Sequence, residues 1–365
     1  PLNQNLKISA GTKIYFGENS YLELNGGKIE ALGSENEKIY FLPYDSSKEW
    51  SGILVKNAKK KSVFNNVIFE NLNHFKTKNS FLTGGINFYK SDVDFLNTQF
   101  KNSTAEDFLN ITSSKFKIIN SQFTNCLSDA FDSDFSTGVI SDTEYFNIKG
   151  DATDFSGSKV LIADSKFKNI DDKGISAGER SSIESIRNNF DESNISIASK
   201  DDSKVIVVNN SFSNSESYDL IAFRKKSFYD FGGQIDVSSE KSIENYSAKS
   251  DFLSKIVINN NAIKNSKIDL KDLYWQMRLE IKIPYNIKYS HLIDRSLKMM
   301  KNLTEHHPSR QVNSIYFDNF DYQMARDNID GKSKRSKLRI RYYGKNDSSE
   351  CFLEIKKKEN KFGYK

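Results

Sequence analysis

Proline is scarce: four in 365 residues, at Pro1, Pro43, Pro284 and Pro308. Nothing between Pro43 and Pro284 removes a backbone donor, so that stretch is free to build hydrogen-bonded strands. Cysteine is scarcer still. Cys126 and Cys351 lie far apart, which excludes a disulfide framework and any zinc-ligand spacing. Of four histidines only His74 precedes residue 270. No apolar run approaches the roughly 20 residues of a membrane-spanning helix, and the mean hydropathy is −0.61. No Gly-x-x-x-x-Gly-Lys occurs, so a phosphate-cradling loop of the Walker type is excluded. The chain begins at Pro1 without Met or leader and stops at Lys365 straight after a strand-like pattern, and it reads as a piece of a longer protein.

What is present is core material and a divided charge. The chain is 37% hydrophobic and 13% aromatic, too apolar for disorder. Its net charge of +5 is uneven. Residues 271–365 carry 21 basic and 12 acidic side chains, or +9; the first 270 carry 32 and 36, or −4. The expected organisation is a repeat domain over 1–268, a linker over 269–276 and a second domain over 277–365.

Self-comparison of the first block finds a repeat. An alternating apolar pair is followed by Asn or Asp, then by Phe three residues on. Copies are Val93, Phe95, Asn97, Phe100; Phe116, Ile118, Asn120, Phe123; Val160, Ile162, Asp164, Phe167; and Val205, Val207, Asn209, Phe212. The anchors Phe69, Phe100, Phe123, Tyr145 or Phe146, Phe167, Phe190, Phe212 and Ile263 recur about every 22 residues, with one insertion and one double step. Period-2 alternation makes the elements strands. A coil of that length holds three short strands, and parallel stacking buries the apolar set in one core. The expected fold is mainly β: a right-handed parallel β-helix, followed by a partial α+β tunnel-type antiparallel barrel. The first Asn suits a turn and stacks on the Asn of the next coil. A second Asn, two residues after the anchor, suits a left-handed conformation.

The block resembles the β-helix domains of bacterial surface and polysaccharide-handling proteins. Such a resemblance implies a carbohydrate or surface ligand and an extracellular setting. A further register of polar residues, Asp129, Asp151, Asp172, Asn194 and Asp219, recurs at about one coil. Stacked carboxylates could bind calcium or serve as acid and base on a sugar polymer; they are equally explained as turn formers. No Lys, His or Arg stands out as a proton abstractor, so a polysaccharide lyase stays open as the less favoured form of the carbohydrate reading.

The texture changes after residue 270. Leu292, Ile293, Leu297, Met300 and Leu303 follow helical spacing from about Ser290. "QVNSIYFDN" reads as a strand, "DYQMARDNIDG" as a helical turn and loop, and "SKLRIRYYG" and "CFLEIKKK" as two more strands. Alternation puts Arg339 with Arg341 on one face, Glu354 with Lys356 and Lys358 on one face, and Arg278 with Glu280 and Lys282 on one face. Three basic strand faces in a block of +9 point to a polyanion. Nucleic acid is not expected, because the cations alternate along strands and no RNA-binding aromatic signature accompanies them.

The run "RLEIKIPY … VNSIYFDNFDY … NIDG … KRSKLRIRYYG … FLEIKKK" resembles the first part of a VTC-type domain, the polyphosphate polymerase family within the triphosphate tunnel fold. The resemblance covers about 277–365. It implies a barrel lined with Arg, Lys and Glu, with ATP and polyphosphate as partners and a divalent metal (Mn or Mg) as cofactor. It implies phosphate contacts at Lys282, Arg335, Arg339, Arg341, Lys356 and Lys358. Arg278 stands where the tunnel pattern Glu-x-Glu-x-Lys has its first Glu, which counts against Glu280 as a metal ligand. The family's later strands are expected beyond Lys365, and the 365 residues alone are expected to be inactive. Two whole-chain readings follow. One is a polyphosphate polymerase-like segment joined to a β-helix, which places ATP chemistry in the cytoplasm. The other is a β-helix surface or carbohydrate-binding protein carrying that segment as a remnant; Met277 could then mark the start of a fused reading frame.

Overall fold

The computed structural model describes residues 3–77, 82–226, 228–268, 312–329, 335–343, 352–359 and 362–364. The chain divides into two compact units, Pro1–Asp269 and Leu270–Lys365. The first is a parallel β-solenoid. Eleven parallel strands, from Leu6–Ile8 to Lys255–Ile258, form one sheet, and each coil adds further strands to a second. Val93 pairs with Phe116, Phe116 with Gly138, Gly138 with Val160, Val160 with Ile183 and Ile183 with Val205. The coil is therefore 22 or 23 residues long. The step grows where a loop leaves the coil: Ser62 pairs with Val93 and Val205 with Ile235.

The aromatic anchors stack along the axis. Phe100 lies 4.2 Å from Phe123, which lies 5.1 Å from Tyr145; Tyr145 to Phe167 is 4.9 Å and Phe167 to Phe190 is 4.6 Å. Tyr145 is the anchor of its coil, since Phe146 is exposed. Tyr246 packs on Phe212 and supplies the aromatic within the double step. Each stacked pair adds about 0.5–1.5 kcal/mol beyond the burial of its area.

Both Asn positions are left-handed. Asn71, Asn102, Asn125, Asn147 and Asn169 have φ between 55° and 59°, and Asn97 and Asn120 have φ of 49° and 48°. From Asn102 to Asn169 each amide donates to the side-chain oxygen of the Asn one coil earlier, at 2.6–3.1 Å. Asn tolerates this backbone at least cost among residues with a side chain, and the ladder offsets the strain. A serine column performs a similar task inside. The N–H groups of Ser91, Ser114, Ser136, Ser158 and Ser181 donate to the hydroxyls of Ser114, Ser136, Ser158, Ser181 and Ser203. Turn N–H groups outside the ladders thereby find acceptors without water.

In the second unit the described elements are strands Val312–Phe317, Arg335–Tyr343, Phe352–Glu359 and Phe362–Tyr364, and a helix Gln323–Ile329. The four strands form one antiparallel sheet. The expected helix from Ser290 and the strand carrying Lys282 lie outside the described residues.

Candidate functional site

Register decides which basic residues share a surface. Arg335 pairs with Lys358, Lys337 with Lys356, Arg339 with Glu354 and Arg341 with Phe352. On the other side Arg339 pairs with Tyr316 and Arg341 with Ser314. Directly opposed residues lie on the same face of a pleated sheet. Arg335, Lys337, Arg339, Arg341, Lys356 and Lys358 therefore occupy one face, with Glu354 among them. Five of the six phosphate positions expected from the sequence are on this face; Lys282 lies outside the described residues. Lys337 was missed, although it falls in the same alternation.

Arg339 is buried at 6% exposure, whereas Ile315 and Ile355, on the opposite face, are each 51% exposed. The Arg339 guanidinium donates to Tyr316 Oη at 3.1 Å and lies over its ring, 5.9 Å from the centroid. This is a pre-set guanidinium, held by a phenol at the centre of the basic face.

Residues 253–365 match the family model for the VTC domain. The match begins at Leu253, two residues before the solenoid strand Lys255–Ile258. No curated protein matches the chain. Among solved structures the chain is similar to a mannuronic acid specific polysaccharide family 6 lyase from human gut microbiota, at 10% identity and a TM-score of 0.34, covering 70% of this chain and 79% of that one. It is similar to the gp42 tailspike of an Acinetobacter phage, at 9% identity and 0.30, covering 96% and 74%. It is also similar to a pectate lyase from Paenibacillus sp. 0602, at 9% and 0.28, covering 69% and 65%.

The solenoid holds a second charged constellation, and here the sequence register needs correction. Thr153 pairs with Ile175, so Asp151 aligns with Lys173 and not with Asp172. The next coil places Ile195 there, then Tyr218. The column thus runs Asp107, Asp129, Asp151, Lys173. Asp107 and Asp129 open strands and Asp151 lies two residues before one; all three are buried and not in exposed turns. The Asp151 N–H donates to Asp129 Oδ1 at 2.8 Å, and the Lys173 N–H to Asp151 Oδ1 at 3.1 Å. Lys173 Nζ lies 3.1 Å from Asp151 and 2.6 Å from Asp172. Lys200 Nζ donates to Ser176 Oγ at 2.6 Å and lies 3.8 Å from Asp154. Lys173 was hidden because the column from Asp151 continues one residue past Asp172.

Burial drives two of these groups toward neutrality. Asp172 is pushed up to about 6 by burial, with Lys173 opposing and Asp151 reinforcing. Lys225 is pushed down to about 8, first by burial and then by repulsion from Lys200 and Lys173. Groups straddling neutral pH can exchange protons under ordinary conditions. Cys126, beside this column, is inert: burial and then the Asp129 charge push its thiol up. Cys351 lies outside the described residues.

The VTC resemblance implies a divalent metal. Among the described residues the one carboxylate trio of suitable spacing is Asp129, Asp151 and Asp154, whose oxygens lie within 4.8 Å of one another. It belongs to the solenoid, and the Lys173 ammonium already bonds one of its members. These residues do not fit a metal of the VTC segment.

Proposed function

We propose that the VTC segment grips a chain of condensed phosphates, polyphosphate or the triphosphate of ATP, across the basic face of its sheet. The observation that carries this reading is the antiparallel register that gathers six Arg and Lys positions on one face, with Arg339 buried at its centre. Guanidinium forks match phosphate oxygens bidentately, and the burial of Arg339 strengthens its own contact. Transfer of a terminal phosphoryl group needs positioning and charge neutralisation more than covalent chemistry. Such a face would supply both to a polyphosphate polymerase-like reaction. The reading includes closure of the sheet into a tunnel, participation of Lys282, and a division of the chain into a solenoid through residue 268, a linker over 269–276 and a phosphate-directed domain from 277.

Calorimetric titration tests it, with tripolyphosphate and duplex DNA as separate ligands. Arg339→Ala with Arg341→Ala should weaken tripolyphosphate at least tenfold, because charge-assisted hydrogen bonds contribute about 1.5–3 kcal/mol each. Arg339→Lys should recover only part of that. Equal loss of both ligands, with no preference for tripolyphosphate, would count against a phosphate-chain site.

A further inference from the structure

A groove of about 600 Å³ runs along one corner of the solenoid. Its origin is the left-handed Asn. At Asn97 and Asn120 the chain turns sharply between its two sheets. The next residues, Thr98 and Ser121, point inward and are buried. The outward side chains on either side of that turn form two banks. Asn66, Asn97, Asn120 and Asp142 line one; Gln99, Gln122 and Glu144 line the other. Each bank repeats the same position in successive coils, so the groove follows the solenoid axis with a rung every ~4.8 Å. Glu35 and Lys38 line it as well, from the coil before Asn66.

The fold explains the Asn bank. Asn97 donates to Asn65 Oδ1 at 2.8 Å and Asn120 to Asn97 Oδ1 at 2.6 Å. Each primary amide offers two donors and two acceptor sites, so a ladder amide retains one N–H and one lone pair. The fold does not explain the Gln bank. Gln99 and Gln122 are in register, and among the described residues their side-chain amides bond no protein group. They are partly buried, face the groove and retain their full bonding capacity.

We propose that this groove binds a sugar chain bearing neutral or amino groups, laid along the solenoid axis. Adjacent donors and acceptors on an amide match vicinal hydroxyls, and a regular row of them suits a polymer with a regular repeat. The lining contains no aromatic or aliphatic residue, so an apolar ligand gains nothing there. Its charged members are Glu35, Asp142 and Glu144 against Lys38; Glu144 is paired with Lys166 at 2.8 Å, so the acidic excess rests on Glu35 and Asp142. That balance repels a polyuronate or a phosphate chain, which separates this site from the one on the VTC segment.

The experiment titrates the full chain with cellohexaose, glucosamine hexamer and galacturonate hexamer, following heat and amide shifts. Binding of the first two and not of the third is expected. Gln99→Ala with Gln122→Ala should weaken both bound sugars at least tenfold while leaving the melting temperature in place. Glu35→Gln with Asp142→Asn should weaken the glucosamine hexamer several-fold more than cellohexaose. Tightest binding of the galacturonate hexamer would overturn the proposal. So would binding of none of the three, or binding that the glutamine pair does not affect.

Discussion

The two units use the same alternation to opposite ends. In the solenoid, inward positions are Phe, Ile and Val, and charged residues mostly face water. In the VTC sheet the buried position is Arg339, while Ile315, Ile355 and Phe317 are 41–51% exposed. A period of two therefore identifies a strand but not which face is inside. Burial of a guanidinium is costly unless it is held, and Tyr316 holds it. One unit spends its burial on hydrocarbon and is a scaffold. The other buries a cation, Arg339.

Four measurements press on that contrast. The largest effect is expected at Phe123, fully buried and stacked on both sides. Phe123→Ala should cost the solenoid about 4 kcal/mol in urea unfolding, whereas Ile355→Ala in the exposed face of the VTC sheet should cost under about 1. Comparable losses would remove the distinction between scaffold and sheet. Next, Lys173→Met leaves Asp151 and Asp172 buried beside an apolar group. A loss of about 3 kcal/mol is expected at pH 7, and a neutral result would show the pair to be hydrated. Third, Asn147→Ala removes two ladder bonds, to Asn125 and from Asn169, and keeps the left-handed strain. About 1–2 kcal/mol should be lost, with Asn147→Gly milder because glycine adopts that backbone freely.

The remaining effect is a pH dependence. The folded chain gives up the Lys225 proton near 8, against 10.5 for the free group. Between those values the unfolded chain binds more protons, so stability from this group falls as pH drops from 10.5 to 8 and stays low below it. Lys225→Met escapes that penalty. Its gain in melting temperature should be larger at pH 7 than at pH 10; an equal gain at both would show that the ammonium is not desolvated.

Much of the solenoid was legible because its information is redundant. Each of Phe100, Phe123, Phe167 and Phe190 repeats one environment, so one misread copy is corrected by the rest. The acids show the limit. Asp171, Asp172 and Lys173 are adjacent in sequence, and only the ladder decides which of them continues the column from Asp151. The same holds for the glutamines. Gln99 and Gln122 look like ordinary strand residues until the turn at Asn97 and Asn120 makes their side of the corner a wall. In the VTC sheet, alternation placed Arg339 with Arg341, but uniting them with Lys356 and Lys358 required the pairing register, which no single strand contains.

The coil register also makes the length of the solenoid a matter of counting. An in-frame loss of residues 138–159 would join Thr137 to Val160, which pairs one coil above Gly138. Phe123 would then face Phe167, Asn125 would meet Asn169, and the molecule would be shorter by one rung of ~4.8 Å. Duplication of the same segment would add a rung. A groove built on such coils can be lengthened or trimmed in whole units by genetic accident, so the size of chain it accommodates can change without a new fold having to be found.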